Sequence, residues 1–346
     1  MHHSVRRAVR RRPRVLPVAV ALVATLILAA CGQDDGGGAA GAEQTELRYQ
    51  GSVGAVTPVE LAADLGYLGP ITLKWIGNTI SGPQDIQSTA TGDVDFGQAF
   101  NGAIIKLIAA GSPIKSVVGS YGIDKDIFGG FYVLDGSPIT SPRDLFGKKI
   151  GMNTLGAHYE AILDEYLKQG GLSQDEIKKV IPTVVPPVNT EQSLREKQID
   201  VAVLSGILRD KALTRGGIHQ IFSDYDLFGP FTAGSYVLRE DFIKKNPTTT
   251  RQFVEGVGKA IEWSRTTPRD QVIARFKDII AKRDRKEDTT AIQYFKGYGV
   301  AGKGGLIEDA DFTRWTDWLK ANGQLKKDVA PAELFTNAFN PFRAGS

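Results

Sequence analysis

Ile71-Thr72-Leu73-Lys74-Trp75-Ile76 alternates apolar and polar side chains, and Ser81-Gly82-Pro83-Gln84 then changes the rhythm. A period of two marks a strand, whereas a hydroxyl residue followed by Gly-Pro marks a helix start, where proline sacrifices no hydrogen bond. That helix is expected to run through Thr89. Val94-Asp95-Phe96 reads as the next short strand, and Ala103 to Ala109 as an apolar helix that stops at Gly111. Strand, helix, strand, helix within about forty residues is the pattern of an α/β sheet.

Working outward, Leu47-Arg48-Tyr49 opens an earlier strand, followed by a helical stretch around Pro58 to Leu65, while Val117-Val118 and Phe131 to Leu134 read as later strands. Ser137-Pro138-Ile139-Thr140-Ser141-Pro142 interrupts the pattern with two prolines and three hydroxyl residues, and is read as a crossing between lobes. The alternation resumes with a strand at Lys148 to Met152, a helix at Ala157 to Gln169 and a strand at Val180 to Val185. Asn189-Thr190-Glu191-Gln192 has capping-box spacing for a helix ending near Lys197, ahead of a strand at Asp200 to Leu204. A return crossing is expected within Asp226 to Ala233, and helical runs near 248–264, 269–282, 288–296 and 310–321 follow Asn246-Pro247. About 300 residues exceed what one core usually spans. The expectation is two α/β lobes, one from 45–136 with 232–346 and the other from 137–231, separated by a cleft and joined by two crossings.

The first thirty residues have a different logic. Arg6, Arg7, Arg10, Arg11, Arg12 and Arg14 precede an apolar stretch from Val15 to Ala30, which is too short to span a membrane but suits a signal peptide over 1–30. Cys31, the single cysteine, follows Leu28-Ala29-Ala30. Residues 31–44 are Gly-rich and read as a flexible tether. Six of the 42 Lys and Arg lie before Cys31, where there are no acids, so 36 face 39 Asp and Glu in the rest of the chain. This balance removes the electrostatic argument for nucleic acid as a partner.

Candidate chemistry is sparse. Gly297-Tyr298-Gly299-Val300-Ala301-Gly302-Lys303-Gly304 satisfies G-x-G-x-x-G and falls one residue short of a P-loop, because Gly304 stands where magnesium needs Ser or Thr. Both motifs follow a strand, and Asp288 to Lys296 reads as helical, so a loop between helices is expected here. After Cys31 only His158 and His219 remain as histidines, far apart, and no metal site is expected. Asp93 and Asp95 fit one water-facing and one turn-capping carboxylate, and Asp124 with Asp126 lacks EF-hand spacing. There is no nucleophile elbow. Neither catalysis nor a cofactor is expected.

Residues 46 to 341 resemble the solute-binding proteins of bacterial ABC importers, in particular the nitrate/sulfonate/taurine group related to thiamine-precursor binders. The stretches that carry the likeness are Arg48 to Val53, Ile80 to Gln84, Thr91 to Gly97, Ala109 to Pro113, Ser141 to Ile150, Gly156-Ala157-His158-Tyr159 and Gly234-Ser235-Tyr236. Leu28-Ala29-Ala30-Cys31 likewise resembles the lipobox of bacterial lipoproteins, which implies cleavage before Cys31 and lipidation of that residue. The resemblance implies a two-lobed periplasmic-binding-protein-like (type II) fold, a small-molecule ligand, a partner permease and ATPase, a lipid-anchored extracytoplasmic location and a monomer. It also implies ligand contacts at the ends of the βα loops: Gln50, Ser52, Ser81, Gly82, Phe100, Asn101 and Gly102 in the first lobe, Thr154, Gly156, His158, Asn189 and Ser205 in the second, and Ser235 near the return crossing. Ser81 is equally readable as a helix cap, His158 as a helix-surface residue, and Phe100 and Tyr159 as core. Sulfonate binders carry a hydroxyl residue and Gly-Asp where this chain has Ala99-Phe100-Asn101-Gly102, and a tryptophan strand end where it has Val203-Leu204-Ser205-Gly206. The departures imply a larger or more apolar anion, or an aromatic or heterocyclic solute. The pyrimidine-synthase branch of the wider family uses metal-ligating histidines and a Cys-rich segment, which this chain does not offer.

Overall fold

The computed structural model describes residues 42–283, 285–325 and 327–343. The expected leader, Cys31 and the tether as far as residue 41 lie outside the described residues. Among the described residues no helix is long and apolar enough to cross a membrane.

The chain runs β1 (Glu46–Gly51), α1 (Pro58–Asp64), β2 (Thr72–Asn78), α2 (Gly82–Thr91), β3 (Phe96–Phe100), α3 (Asn101–Ala109), β4 (Ile114–Ile123) and β5 (Gly129–Leu134). It continues with β6 (Lys149–Met152), α4 (His158–Gln169), α5 (Gln174–Ile177), β7 (Ile181–Val184), α6 (Pro187–Arg195), β8 (Val201–Ser205), α7 (Gly206–Arg215), β9 (Ile218–Ser223), α8 (Asp224–Phe228) and β10 (Phe231–Arg239). Helices α9 (Glu240–Lys245), α10 (Pro247–Thr266), α11 (Arg269–Lys282), α12 (Ala310–Thr313), α13 (Thr316–Ala321) and α14 (Pro331–Leu334) complete it.

Three sheets result. β1 and β2 form a parallel pair, β10 lies antiparallel between β3 and β4, and a five-stranded sheet has the order β7-β6-β8-β5-β9. Within the last, β6 is parallel to β7 and β8, whereas β5 is antiparallel to β8 and β9. These are the two groups of α/β elements that the strand–helix alternation suggested. One boundary differs from the sequence reading. β5 joins the five-stranded sheet, so the outward crossing is Asp124–Phe128 rather than the Pro-rich 137–142 segment. Prolines there serve instead as a capping-box entry to a short 3₁₀ turn, Pro142–Leu145. The chain returns between α8 and β10.

Local chemistry places the strand ends. Arg48 ties β1 to the start of β3, donating from its backbone and its guanidinium to Asp95 at 2.7 and 2.8 Å. Desolvation pushes the Asp95 carboxyl up, but the Arg48 hydrogen bonds outweigh it and hold the group below its usual range. Asp95 therefore clamps a strand, in place of the turn cap expected from sequence, while Asp93 is exposed and accepts from Thr91. Thr57 and Glu60 form a capping box that fixes the start of α1.

An apolar cluster including Ile104, Ile123, Phe231 and Trp315 also contains Phe131, Ile150, Ile162, Val201 and Phe222, so side chains of both the three- and five-stranded sheets share one core. A second cluster packs α10 and α11 against α1 and the outer face of β4 and β10. The two later helical runs are shorter than expected: 288–296 holds only a 3₁₀ segment, Thr290–Tyr294, and 310–321 breaks into α12 and α13. Trp75 is 41% exposed, with the Arg285 guanidinium 4.2 Å over its ring.

Candidate functional site

A cavity of about 380 Å³ lies where the two groups of strands meet, within the range of small-molecule sites. Its walls are the carboxyl ends of strands and the helix starts that follow them, the usual ligand position in open α/β sheets. Gly82 and Pro83 open α2, Phe100 precedes α3, Ala157, His158 and Tyr159 open α4, Pro187 and Thr190 belong to α6, and Ser205 and Gly206 open α7. All five helices lack a side-chain N-cap. Apart from Pro83 and Pro187, which carry no N–H, and Asn189, whose amide donates to the Pro186 carbonyl, their first-turn N–H groups have no intrahelical acceptor and lie at the positive end of the helix dipole. By contrast, Thr57 and Ser173 cap the starts of α1 and α5, neither of which reaches the cavity.

Tight backbone contacts set two of these walls. A Cβ on Gly82 would stand 2.9 Å from Ala99 Cα, so glycine lets the start of α2 press against the end of β3. A Cβ on Gly102 would stand 2.5 Å from the Phe100 ring, so glycine there lets that ring lie across the first turn of α3. Phe100 is 2% exposed, edge-on to Trp315 at 4.7 Å and to His158 at 5.2 Å.

His158 is the polar centre. Its ring is 7% exposed, and Nε2 lies 2.9 Å from Oδ2 of the fully buried Asp224 at the start of α8. Asp224 also accepts from the Gly129 amide through Oδ1 and Oδ2, at 3.0 and 3.1 Å. His158 Nδ1 is buried with no hydrogen-bond partner. Tyr121, Phe128, Tyr159 and Tyr298 add aromatic walls, and Asn153, Thr154 and Ser205 add polar ones. Desolvation drives the Tyr121 and Tyr159 phenols upward, Tyr159 despite a hydrogen bond with Ser205. Among the described residues, no Lys, Arg, Asp or Glu lines the cavity.

The Asp124–Phe128 crossing forms another wall and is itself pinned. Asp124 Oδ1 accepts from the Asp126 and Ile127 amides, both at 2.8 Å, so it shapes a turn. Arg209, 2% exposed, donates to the carbonyls of Asp126 and Phe128 at 2.7 and 3.1 Å, pairs with Asp210, and lies 3.8 Å over the Phe128 ring.

Of the residues singled out from sequence, Gly82, Phe100, Thr154, His158 and Ser205 line the cavity. Ser81 and Gly156 sit beside lining residues, Ser81 as the N-cap position of α2 and Gly156 donating its amide to Glu160. Gln50 and Ser52, at the end of β1, do not reach it, and Gln50 Oε1 is buried without a partner. Asn101 and Ser235 are fully buried and bond each other: Ser235 Oγ donates to Asn101 Oδ1 at 2.8 Å, and Asn101 Nδ2 donates to the carbonyls of Thr232 and Asp311. They join β10 to α3 and α12 and stand outside the cavity walls. Asn189 is exposed and donates its amide to the Pro186 carbonyl. Sequence reasoning missed Tyr121, Phe128, Tyr298 and Asp224. The glycine-rich stretch was set aside as a loop, yet Gly297 and Tyr298 form cavity wall, and the Gly122 amide at the end of β4 donates to the Tyr298 carbonyl at 2.8 Å. Nothing local marks Asp224, which meets His158 across 66 residues of sequence.

Fold and site together define a two-lobed binding-protein architecture around one polar-centred aromatic cavity. A family profile described as NMT1/THI5 like matches residues 57–271, and the chain belongs to that family. Among curated relatives, the Saccharomyces cerevisiae 4-amino-5-hydroxymethyl-2-methylpyrimidine phosphate synthases THI12 and THI5 are each 24% identical over 306 residues, covering 82% of this chain and 83% of theirs. Among solved structures, the alkanesulfonate-binding protein SsuA from Xanthomonas axonopodis bound to MOPS is similar with a TM-score of 0.66 at 18% identity, over 85% of this chain and 99% of that one. The periplasmic aliphatic sulphonate binding protein SsuA from Escherichia coli gives 0.63 at 20% identity, over 84% and 92%. The nitrate-binding protein NrtA from Synechocystis gives 0.62 at 13% identity, over 85% and 87%.

Proposed function

We propose that this protein is the extracytoplasmic solute-binding component of an ABC importer, and that its cavity captures a small organic anion. The observation that carries the reading is the convergence of five uncapped helix starts on one cavity that no carboxylate among the described residues lines. Each such terminus favours an anion by about 0.3–2 kcal/mol. Micromolar affinity requires about −8 kcal/mol, so several amide hydrogen bonds must act with apolar contact from rings such as Phe128 and Tyr159. Gly82, Phe100, Thr154, His158 and Ser205 are the proposed contacts. Closure of the lobes about the two crossings would exclude water, strengthen these bonds and present both lobes to the permease. Cleavage before Cys31 and lipidation of that residue would hold a monomer at the outer face of the membrane.

The aromatic walls favour a second reading, a flat heterocyclic solute of the thiamine-precursor kind. Binding and catalysis are separated by one experiment. The protein is incubated with taurine, alkanesulfonates, nitrate and aminopyrimidines, its melting temperature is recorded, and each solute is then recovered. A binder gains about 1–4 kcal/mol at saturating ligand and returns the solute unchanged. Consumption of a solute would refute the binding reading, and stabilisation by the pyrimidines alone would refute the anion.

A further inference from the structure

An anion in this cavity needs a positive partner, and the walls supply one titratable candidate. Among the described residues no Lys or Arg lines the cavity, and its one histidine, His158, is of the residue type that can become a cation in the physiological pH range. Its two nitrogens are not equivalent. Nε2 lies 2.9 Å from the Asp224 carboxylate, which holds the proton there when the ring is neutral. Nδ1 is then the bare acceptor, and it is buried with no partner in the protein. A lone-pair nitrogen repels an anion, whereas a protonated Nδ1 donates a charge-assisted hydrogen bond to it.

The groups that face the ring come from several elements. Asp224 is fully buried and touches the ring from α8. Tyr159, next to His158 on α4, and Tyr121 from β4 are phenols raised by desolvation, hence neutral. Arg209 of α7 is committed to Asp210 and to two crossing carbonyls, and Arg314 lies over the Phe231 ring at 4.6 Å, a ring that also stacks with His158 at 6.0 Å. Glu160, one turn's start along α4, accepts from the Gly156 amide. Phe100 and Trp315 complete the enclosure with apolar surface.

We infer that anion capture is coupled to the uptake of one proton from solvent onto His158 Nδ1, with Asp224 as the positioning residue that fixes the tautomer and balances the imidazolium. This rests on the anion reading above. The probes are benzenesulfonate, methanesulfonate and nitrate, none of which titrates between pH 5 and 9. Above the pKa of the free ring, Kd for a probe should weaken about tenfold per pH unit, and calorimetry in buffers of different ionisation enthalpy should report uptake of about one proton per anion. Nitrogen-15 spectra of the histidine rings should show the Nε2–H tautomer in the free protein at pH 8 and a doubly protonated ring in the complex. Asp224→Asn, which keeps an acceptor for the Gly129 amide, should shift the pH profile to lower pH. His158→Gln should abolish its slope, an effect that loss of stability alone would not produce. If no probe raises the melting temperature, the anion reading fails and this inference with it. If a probe binds with a Kd that is flat from pH 6 to 9, or that tightens with rising pH, or leaves the ring neutral, proton coupling alone is overturned.

Discussion

Asp85 offers the sharpest test of the energetics. It lies on α2 three residues after Gly82, is 3% exposed, and accepts from the Gln98 amide through Oδ2 at 2.8 Å, while Oδ1 is buried without a partner. Desolvation raises its pKa from 3.8 to about 7, and the single amide hydrogen bond offsets only part of that. The folded state therefore holds this proton more tightly than the unfolded chain does, and stability falls as pH rises. The loss begins near the unfolded value, about pH 4, and is complete above about pH 7. A shift of about three units at 1.36 kcal/mol each makes the charged carboxylate cost on the order of 4 kcal/mol. Asp85→Asn removes the charge and preserves an acceptor for Gln98. Urea unfolding at half-unit steps from pH 4 to 8.5 should show the variant gaining on the parent by several kcal/mol across that window, with a roughly constant difference at its ends. A difference that stays flat, or that favours the parent as pH rises, would show that the carboxylate is solvated or paired and would refute the burial argument.

Three further outcomes follow from the same contacts. Phe100→Ala removes a ring enclosed by Trp315, His158 and Gly102, and should cost about 3–5 kcal/mol in chemical denaturation, with weakened binding of any cavity ligand. Arg209→Met leaves the crossing carbonyls without their donor and Asp210 with Lys296, at 2.9 Å, as its remaining cation, and should cost about 1–3 kcal/mol, together with faster amide exchange across 124–128. Gly82→Ala sets a methyl carbon against Ala99, which should cost about 1–3 kcal/mol by thermal melting and move the α2 amides enough to weaken anion binding measurably.

The sequence reading succeeded where the signal is short-range. The Gly-Pro start of α2, the strand at 71–76 and the helix ending at Gln169 all lie where period and capping chemistry place them, because each depends on residues a few positions apart. It misplaced the outward crossing for the same reason. Proline density marks a break in the chain, but whether β5 pairs with β4 or with β8 is decided by partners at Val203 and Phe222, many residues away. Asn101 and Ser235 illustrate the same limit within the site. Both stand at strand–helix junctions, as ligand contacts would, and the fold spends their polar atoms on each other across 134 residues.

Composition and local pattern thus determined the α/β class and the starts of α2 and α4, two of the helices that ring the cavity. Tertiary structure alone decided which of those starts face the cavity together. It also set Asp224 against His158, Tyr298 against the end of β4, and Asn101 against Ser235. Periodicity and caps are written in neighbouring residues and so can be read one segment at a time. A cavity is written in pairs far apart along the chain, whose meeting depends on packing the whole core.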